Sequence, residues 1–566
     1  MLPILGPHAL ALALKLLLAF PAPLQGAGDL VLLANGVVYA SPGAAPVRAS
    51  ILVEDGRVRF VGEPAAARAI PGAAGARVVD LQGRFVFPGF ADAHLHLFGI
   101  GHEREVADLR GAADAQAAAA RVATLASKLP NGAWIEATGW DQNRWPGRQF
   151  PDAGVLDAAL GNRPVVAARV DGHAVWVSSA ALKAAGIVAA TRDPEGGRIL
   201  RRVDGSPSGV LVDNARSLVA RVQPAPTEAD LERQLLAGAA ECAAFGLTEV
   251  QDASAYDPAT IALLARLADR GALPIRIYAT VSPKPGDLEK ALAKGVRIGT
   301  LSDRLTVRAI KAYADGALGS RGAALLADYA DEPGRRGLLR TSPERLAEIA
   351  LAARRGGWQV WIHAIGDRGN RLALDAYEAA AAAVPEAAEG ATRPRIEHAQ
   401  VIAPEDFPRF ARFGVIASIQ PTHATSDMPW AEDRLGPSRI AGAYAWRRLV
   451  IAGARLAGGS DAPVESENPL LGFYAAVTRE DLQGKPPGGW RAGEKLSRAE
   501  AMALFTSGAA YAAFEETWRG RIEPGFAADF TILERDPMAV PEEEIPSVKV
   551  FATVVAGRAV FGALSP

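Results

Sequence analysis

The chain reads as an α/β protein: a (β/α)8, TIM-like barrel, with a small β-sandwich assembled from both termini and an insertion after the first barrel strand. Three observations lead there. The middle alternates strand-like and Ala-rich helix-like segments, with eight candidate parallel strands at 85–96, 247–252, 275–280, 305–313, 359–365, 395–400, 415–419 and 456–461. Both ends carry short strands broken by tight turns. Roughly 150 residues separate the first two candidate strands, where a βα loop ordinarily has about two to six before its helix.

Taken in order, residues 1–28 hold an apolar run from Ala9 to Phe20 followed by small residues at Gly26 and Ala27, the texture of a secretory signal, although no basic residue precedes the run and Lys15 interrupts it. Cleavage there would place the protein outside the cytoplasm, in the periplasm or beyond; without it the location is cytoplasmic. The run is too short to be read as a membrane span. Strands follow at 30–39, 50–54, 57–62 and 77–81, with Asp55-Gly56 as a hairpin turn, and the far end repeats the pattern at 528–533, 548–555 and 558–561 around Ala556-Gly557. Three C-terminal strands alone would leave an apolar face uncovered, so 29–84 and 520–566 are expected to form one composite sandwich beside a barrel at 85–519. Within the barrel, 132–214 reads as an inserted lobe over the mouth; its Trp134, Trp140, Trp145 and Trp176 suggest an apolar or aromatic substrate group. Stretches 227–245 and 342–356 are long enough for crossover helices.

Composition bounds the function. With 566 residues, 22% charged and a net charge of −2, the chain has no basic block for nucleic acid or an anionic membrane surface, which leaves a small molecule as the expected partner and oligomeric state open. Cys242 is the only cysteine, so no intrachain disulfide or thiolate cluster is available, and histidines and carboxylates must bind any metal.

In a barrel of this type the active site lies at the C-terminal ends of the strands. His94 and His96, at i and i+2, can present two imidazoles to one ion. Lys311, His363, His398 and Asp461 stand near the same end of four further candidate strands, so four of the eight histidines fall at strand ends.

These residues sit in recognisable motifs. Pro88-Gly89-Phe90-Ala91-Asp92-Ala93-His94-Leu95-His96 resembles the first-strand motif of the metal-dependent amidohydrolase superfamily, and Asp171-Gly172-His173, Lys311 to Ser320, His363-Ala364-Ile365-Gly366-Asp367, Glu397-His398-Ala399, Gln420-Pro421-Thr422-His423 and Gly459-Ser460-Asp461-Ala462-Pro463 are similar to its family-three branch, which includes N-substituted formamide deformylases. The resemblance implies a divalent metal, zinc by ligand preference, as one or two ions. His94 and His96 would hold one, His363 and His398 a second or the remainder of the first, and Asp461 would stand with them. Lys311 occupies the place of a carboxylated lysine bridging two metals, a modification it needs because a free lysine is cationic near neutral pH; the alternative is an ordinary amine paired with Asp315 or a substrate carboxylate. His173 and His423 would face the substrate and stabilise an oxyanion, or else only pack.

The chemistry expected is hydrolysis of a carbon–nitrogen bond in an amide-like substrate such as an N-formyl amine or cyclic amide, with metal-activated water as nucleophile and Asp461 as proton shuttle. An N-cap for a following helix is the other reading of Asp461. Hydrolytic deamination or ester hydrolysis on the same site, and a binding protein that has lost turnover, are the competing functions.

Overall fold

The computed structural model describes residues 30–385 and 390–564; the expected signal segment lies outside the described residues. Strands β1 (Leu30–Val38), β2 (Val47–Glu54), β3 (Arg57–Gly62), β4 (Arg77–Asp80) and β5 (Phe85–Pro88) join three strands from the other end of the chain in one eight-stranded sheet. Where a sandwich is expected, the hydrogen bonding describes a single sheet that branches at β1, whose first half pairs with β4 and whose second half, past a bulge, pairs with β5. The sheet folds back on itself. Its Asp55-Gly56 turn reaches the Ala556-Gly557 turn, all four residues having positive φ, and Val58 and Ala528 donate to Phe526 and Gly56 carbonyls. Alternate residues such as Val31, Leu33, Ile51, Val53 and Val86 fill the enclosed core with Phe530, Ile532 and Val554.

The expected continuous strand at 85–96 is two strands. β5 belongs to the composite sheet; β6 (Phe90–Leu95) opens the barrel, which moves the domain boundary from 84/85 to Gly89. Gly89 is required at the break: a Cβ there would lie 2.3 Å from Thr248 Oγ1, while its N–H is taken by Asp529 O. The Ala-Asp-Ala-His run is buried throughout, as parallel barrel strands are.

The barrel itself is an eight-stranded, all-parallel sheet in sequence order: β6, then β13 (Leu247–Tyr256), β14 (Arg276–Val281), β15 (Leu305–Tyr313), β16 (Gln359–Ala364), β17 (Arg395–His398), β18 (Ile416–Ile419) and β19 (Arg455–Gly458). No regular ladder joins β19 to β6. Closure comes from the segment after β19: Asp461 N donates to His94 O (2.7 Å), His96 N to Ala462 O (2.7 Å), and Gly459 passes so close to His94 N that a Cβ would sit 2.4 Å from it. Thr227 and Ser342 cap the crossover helices Glu228–Ala244 and Pro343–Gly356.

The inserted lobe has its own six-stranded sheet of β7 (Ala107–Asp108), β8 (Ile135–Trp140), β9 (Val165–Arg169), β10 (Ala174–Val177), β11 (Gly197–Arg201) and β12 (Pro207–Asp213). It starts earlier than residue 132, because β7 pairs in parallel with β8, although β7 has only two residues and the Ala-rich helix Ala115–Ala126 after it resembles a barrel crossover in sequence. Its tryptophans do another job than expected. Trp140 and Trp176 are fully buried; Trp176 packs edge-on against Trp140 and Trp145, which are tilted to each other, ring centroids 6.1–6.5 Å apart, so the three form the lobe's core, and of the four Trp145 alone lines the cavity beneath. The remaining strands β20 (Phe530–Leu533), β21 (Val550–Val555) and β22 (Arg558–Phe561) complete the composite sheet, β20 pairing antiparallel with β5. No helix among the described residues is long and apolar enough to cross a membrane.

Candidate active site

Side chains at i and i+2 on a barrel strand share the interior. This places His94 on β6, Lys311 on β15 and His363 on β16 inside the barrel, where all three are buried. His398 is different: its neighbours Arg395 and Glu397 already take the inward positions of β17, and strict alternation would turn it out toward the helix layer. A positive φ at His398 (73°) and Ala399 (43°) bends it back, and Asp461 adopts the same left-handed region at 61°. L residues pay a conformational cost there, and such strain concentrates at functional sites.

Asp461 joins two clusters. Its Oδ1 lies 3.3 Å from His94 Nε2 and 3.2 Å from His96 Nε2, and its Oδ2 lies 3.7 Å from His423 Nε2. Ligand atoms of His94, His96 and Asp461 fall within 4.8 Å of one another, as do those of His398, His423 and Asp461. The second group takes in His423, expected at the substrate, and leaves out His363, whose ring is 4.5 Å from that of His398 and whose Nε2 faces Asp315 Oδ1 at 3.6 Å. Lys311 Nζ is 3.3 Å from His94 Nε2 and not paired with Asp315, which instead accepts backbone N–H groups of Ala324, Ile365 and Gly366. Nor is Asp461 a helix cap, since the next helix begins at Pro469 behind Asn468.

Electrostatics suit a cation. Burial pushes the His363 and His398 imidazoles well down, to the neutral form that binds metal. Burial alone would raise Asp461, but hydrogen bonds from His94 and His96 outweigh it and hold the carboxyl well below its ordinary range. Burial brings Lys311 down to about 8 against the pull of Glu397 and Asp461. His363 Nε2, His398 Nδ1 and His423 Nε2 are buried without a hydrogen-bond partner. The orphaned nitrogens of His398 and His423, grouped with the ionised Asp461 carboxylate, make a donor set that fits a divalent ion.

Above this cluster lies a cavity of about 240 Å³ between barrel and lobe. His173 reaches it from the lobe, its Nδ1 held at 2.6 Å by Asp213 Oδ1 and its ring 5.0 Å from that of His363. Arg169, unremarked in the sequence, is buried in the wall between Asp141 and Asp171 and bonds Gln142 Oε1 at 2.8 Å. The signal for it was present: Arg169 and Asp171 stand two apart, directly before the Gly172-His173 turn, whose His173 N–H Asp171 accepts at 3.0 Å. Glu397, which holds His94 Nδ1, was also passed over as part of a motif.

Residues 77–561 match the model of the amidohydrolase family, Amidohydro_3. This chain belongs to the amidohydrolase family. Its relatives include YtcJ of Bacillus subtilis (strain 168), 33% identical over 93% of this chain and 98% of that protein. The N-substituted formamide deformylase of Arthrobacter pascens is 27% identical over 90% of this chain and 94% of that enzyme. Among solved structures, an uncharacterised metal-dependent hydrolase from Pyrococcus horikoshii OT3 superposes with a TM-score of 0.74 at 29% identity, covering 91% of this chain and 99% of that one. The amidohydrolase is therefore a hydrolase on a TIM-like barrel, and its family and site chemistry call for a divalent metal.

Proposed function

We propose that this amidohydrolase cleaves a carbon–nitrogen bond in an amide-like small molecule, an N-formyl or other N-acyl amine or a cyclic amide. One observation carries the reading: an ionised Asp461 stands between two groups of histidines and lines the cavity between barrel and lobe. A divalent ion such as zinc, held by His94, His96 and Asp461 or by His398, His423 and Asp461, would lower the pKa of water and polarise the scissile carbonyl. The chain's own residues do the rest. Asp461 takes the proton from the attacking water on a carboxylate oxygen and returns it to the leaving nitrogen. His173, whose Nδ1 is held by Asp213, stabilises the oxygen that gains charge by donating an Nε2–H, a role that needs both ring nitrogens protonated. The lobe limits water above the reacting group. Carboxylation of Lys311 by carbon dioxide, the amine losing a proton as the carbamate forms, belongs to the same proposal, motivated by a buried amine 3.3 Å from His94 Nε2, and native mass spectrometry at neutral pH reads it as the mass of one added CO2 that is lost on acidification.

The test is to strip the purified protein with a chelator, reload it with single divalent metals, and offer N-formyl and N-acyl amines. Metal-dependent release of amine and carboxylate is the expected result. Ammonia from an amino-substituted ring, or alcohol from an ester, with no amide turnover, would transfer the assignment to deamination or ester hydrolysis.

A further inference from the structure

Below the histidines, the barrel interior holds a chain of charged and polar side chains that the hydrolytic steps do not use. Arg395 and Glu397 point inward from β17 and are fully buried. Glu397 accepts from His94 Nδ1 and from Arg395 through two bonds, Nε to Oε1 at 2.8 Å and Nη2 to Oε2 at 3.0 Å. Arg395 has no freedom left. Nη2 also bonds Ala93 O (2.6 Å) and Ser418 Oγ (3.0 Å), Nη1 bonds Gln251 Oε1, and the guanidinium lies 3.7 Å over the Trp361 ring. Gln251 passes the contact on to Glu249 and to Ala509 O, in the helix Ser507–Ala512 at the opposite end of the interior.

We propose that Glu397, clamped by Arg395, is a positioning residue for His94: it fixes the ring with a proton on Nδ1, so that Nε2, beside Asp461 and Lys311, is the nitrogen that gives up its proton to take the ion. The inference rests on the reading that this site holds a divalent ion. A neutral imidazole carries one proton, and its location decides which nitrogen can coordinate. A carboxylate on the far nitrogen removes the choice and makes the near nitrogen a stronger donor. His398, by contrast, leaves Nδ1 without a partner. Arg395 acts one step further back, supplying the positive charge that lets a carboxylate stay ionised in a dry interior.

The experiment compares wild type, Glu397→Gln, and the double variant Arg395→Gln/Glu397→Gln, each stripped of metal and titrated with zinc alone against a chromophoric chelator, with the Tm of each stripped protein beside it. Glu397→Gln should weaken zinc binding about 10- to 100-fold, the range for loss of a carboxylate behind a ligating histidine. It should also lower the stripped Tm, because Arg395 loses its counter-charge. The double variant removes both buried charges, so its stripped Tm should recover toward wild type while its zinc affinity stays weak. A merely structural ion pair predicts that the double variant regains both. Recovery of wild-type affinity there, or undiminished affinity in Glu397→Gln, overturns the proposal and leaves the hydrolase reading standing. Failure of the wild type to bind zinc at all overturns both. If the single variant does not fold, the double variant carries the comparison by itself.

Discussion

Asp461 sits where its backbone is strained and its carboxylate is shared, with φ at 61° and three histidine Nε2 atoms between 3.2 and 3.7 Å away. Asparagine would keep the shape and one acceptor but cannot carry a proton. Asp461→Asn is therefore expected to reduce kcat about 10²- to 10⁴-fold, the usual scale of general acid–base catalysis, with little change in substrate affinity. Comparing the variant with wild type at matched metal content checks this, and turnover within tenfold of wild type would move the proton to His173. The same cavity makes a second demand at Gly316. A Cβ there would lie 2.4 Å from Asp213 Oδ2, so Gly316→Ala must displace the carboxylate that holds His173. Metal content should be unchanged while kcat/KM falls on the order of 10²-fold, as a shift of about 1 Å in a catalytic group produces. An unchanged kcat/KM would take His173 out of the reaction.

At the scale of elements, β20 is the join between barrel and composite sheet. It pairs with β5, whose Val86 faces the enclosed core and whose Phe87 faces the barrel core. Truncation after Gly520 removes β20, β21 and β22 and uncovers both faces. An insoluble product is expected, and a soluble, active truncation would refute this account of the architecture. Beside β20, Asp529 accepts from Arg276 Nε at 2.7 Å, Arg519 Nε at 3.0 Å and Ala556 N at 2.7 Å. Burial alone would raise its carboxyl, but the two guanidiniums outweigh it and bring it to about 2, below the ordinary 3.8. Since the folded value is the lower one, the fold favours the ionised form: this stabilisation is present above pH 3.8 and is lost as pH falls toward about 2. It amounts to about 2 kcal/mol. Asp529→Asn should lower Tm at neutral pH, and the gap to wild type should close as both are acidified below about pH 4. A gap that does not change with pH would show that Asp529 acts by packing.

Across the whole molecule, the lobe and the barrel make the site together. The barrel supplies the candidate ligands and the lobe supplies His173 and the wall containing Arg169, so neither part encloses the cavity alone. Asp213 of the lobe rests against Gly316 and Gly322 of the segment after β15, and the absence of side chains at both positions is what allows the approach. The composite sheet serves differently. It packs on the outside through Phe87, Leu533 and Val555, far along the chain from one another, and tethers both ends of the barrel domain.

What the sequence determined by itself was whatever depends on short spacings. The eight barrel strands all lie where alternating apolar segments put them, the Asp55-Gly56 and Ala556-Gly557 turns form as written, and His94, His96, His398 and Asp461 come together because each stands near a strand's C-terminal end. Tertiary structure decided what depends on distance between strands. Barrel stagger and strand register set how far each strand end reaches into the interior, and no local period encodes them. That is why His423 joins His398 and Asp461 while His363 stands aside. The split at Gly89 likewise needed Thr248, 159 residues away, to show why no side chain fits. The tryptophans of the lobe, read as pocket lining, found more apolar surface to bury against each other than in the cavity. Glu397 and Arg395 lie two apart just as His94 and His96 do, but their purpose is visible only once β6 and β17 face each other across the barrel, because a carboxylate is a positioning group only beside the ring it holds.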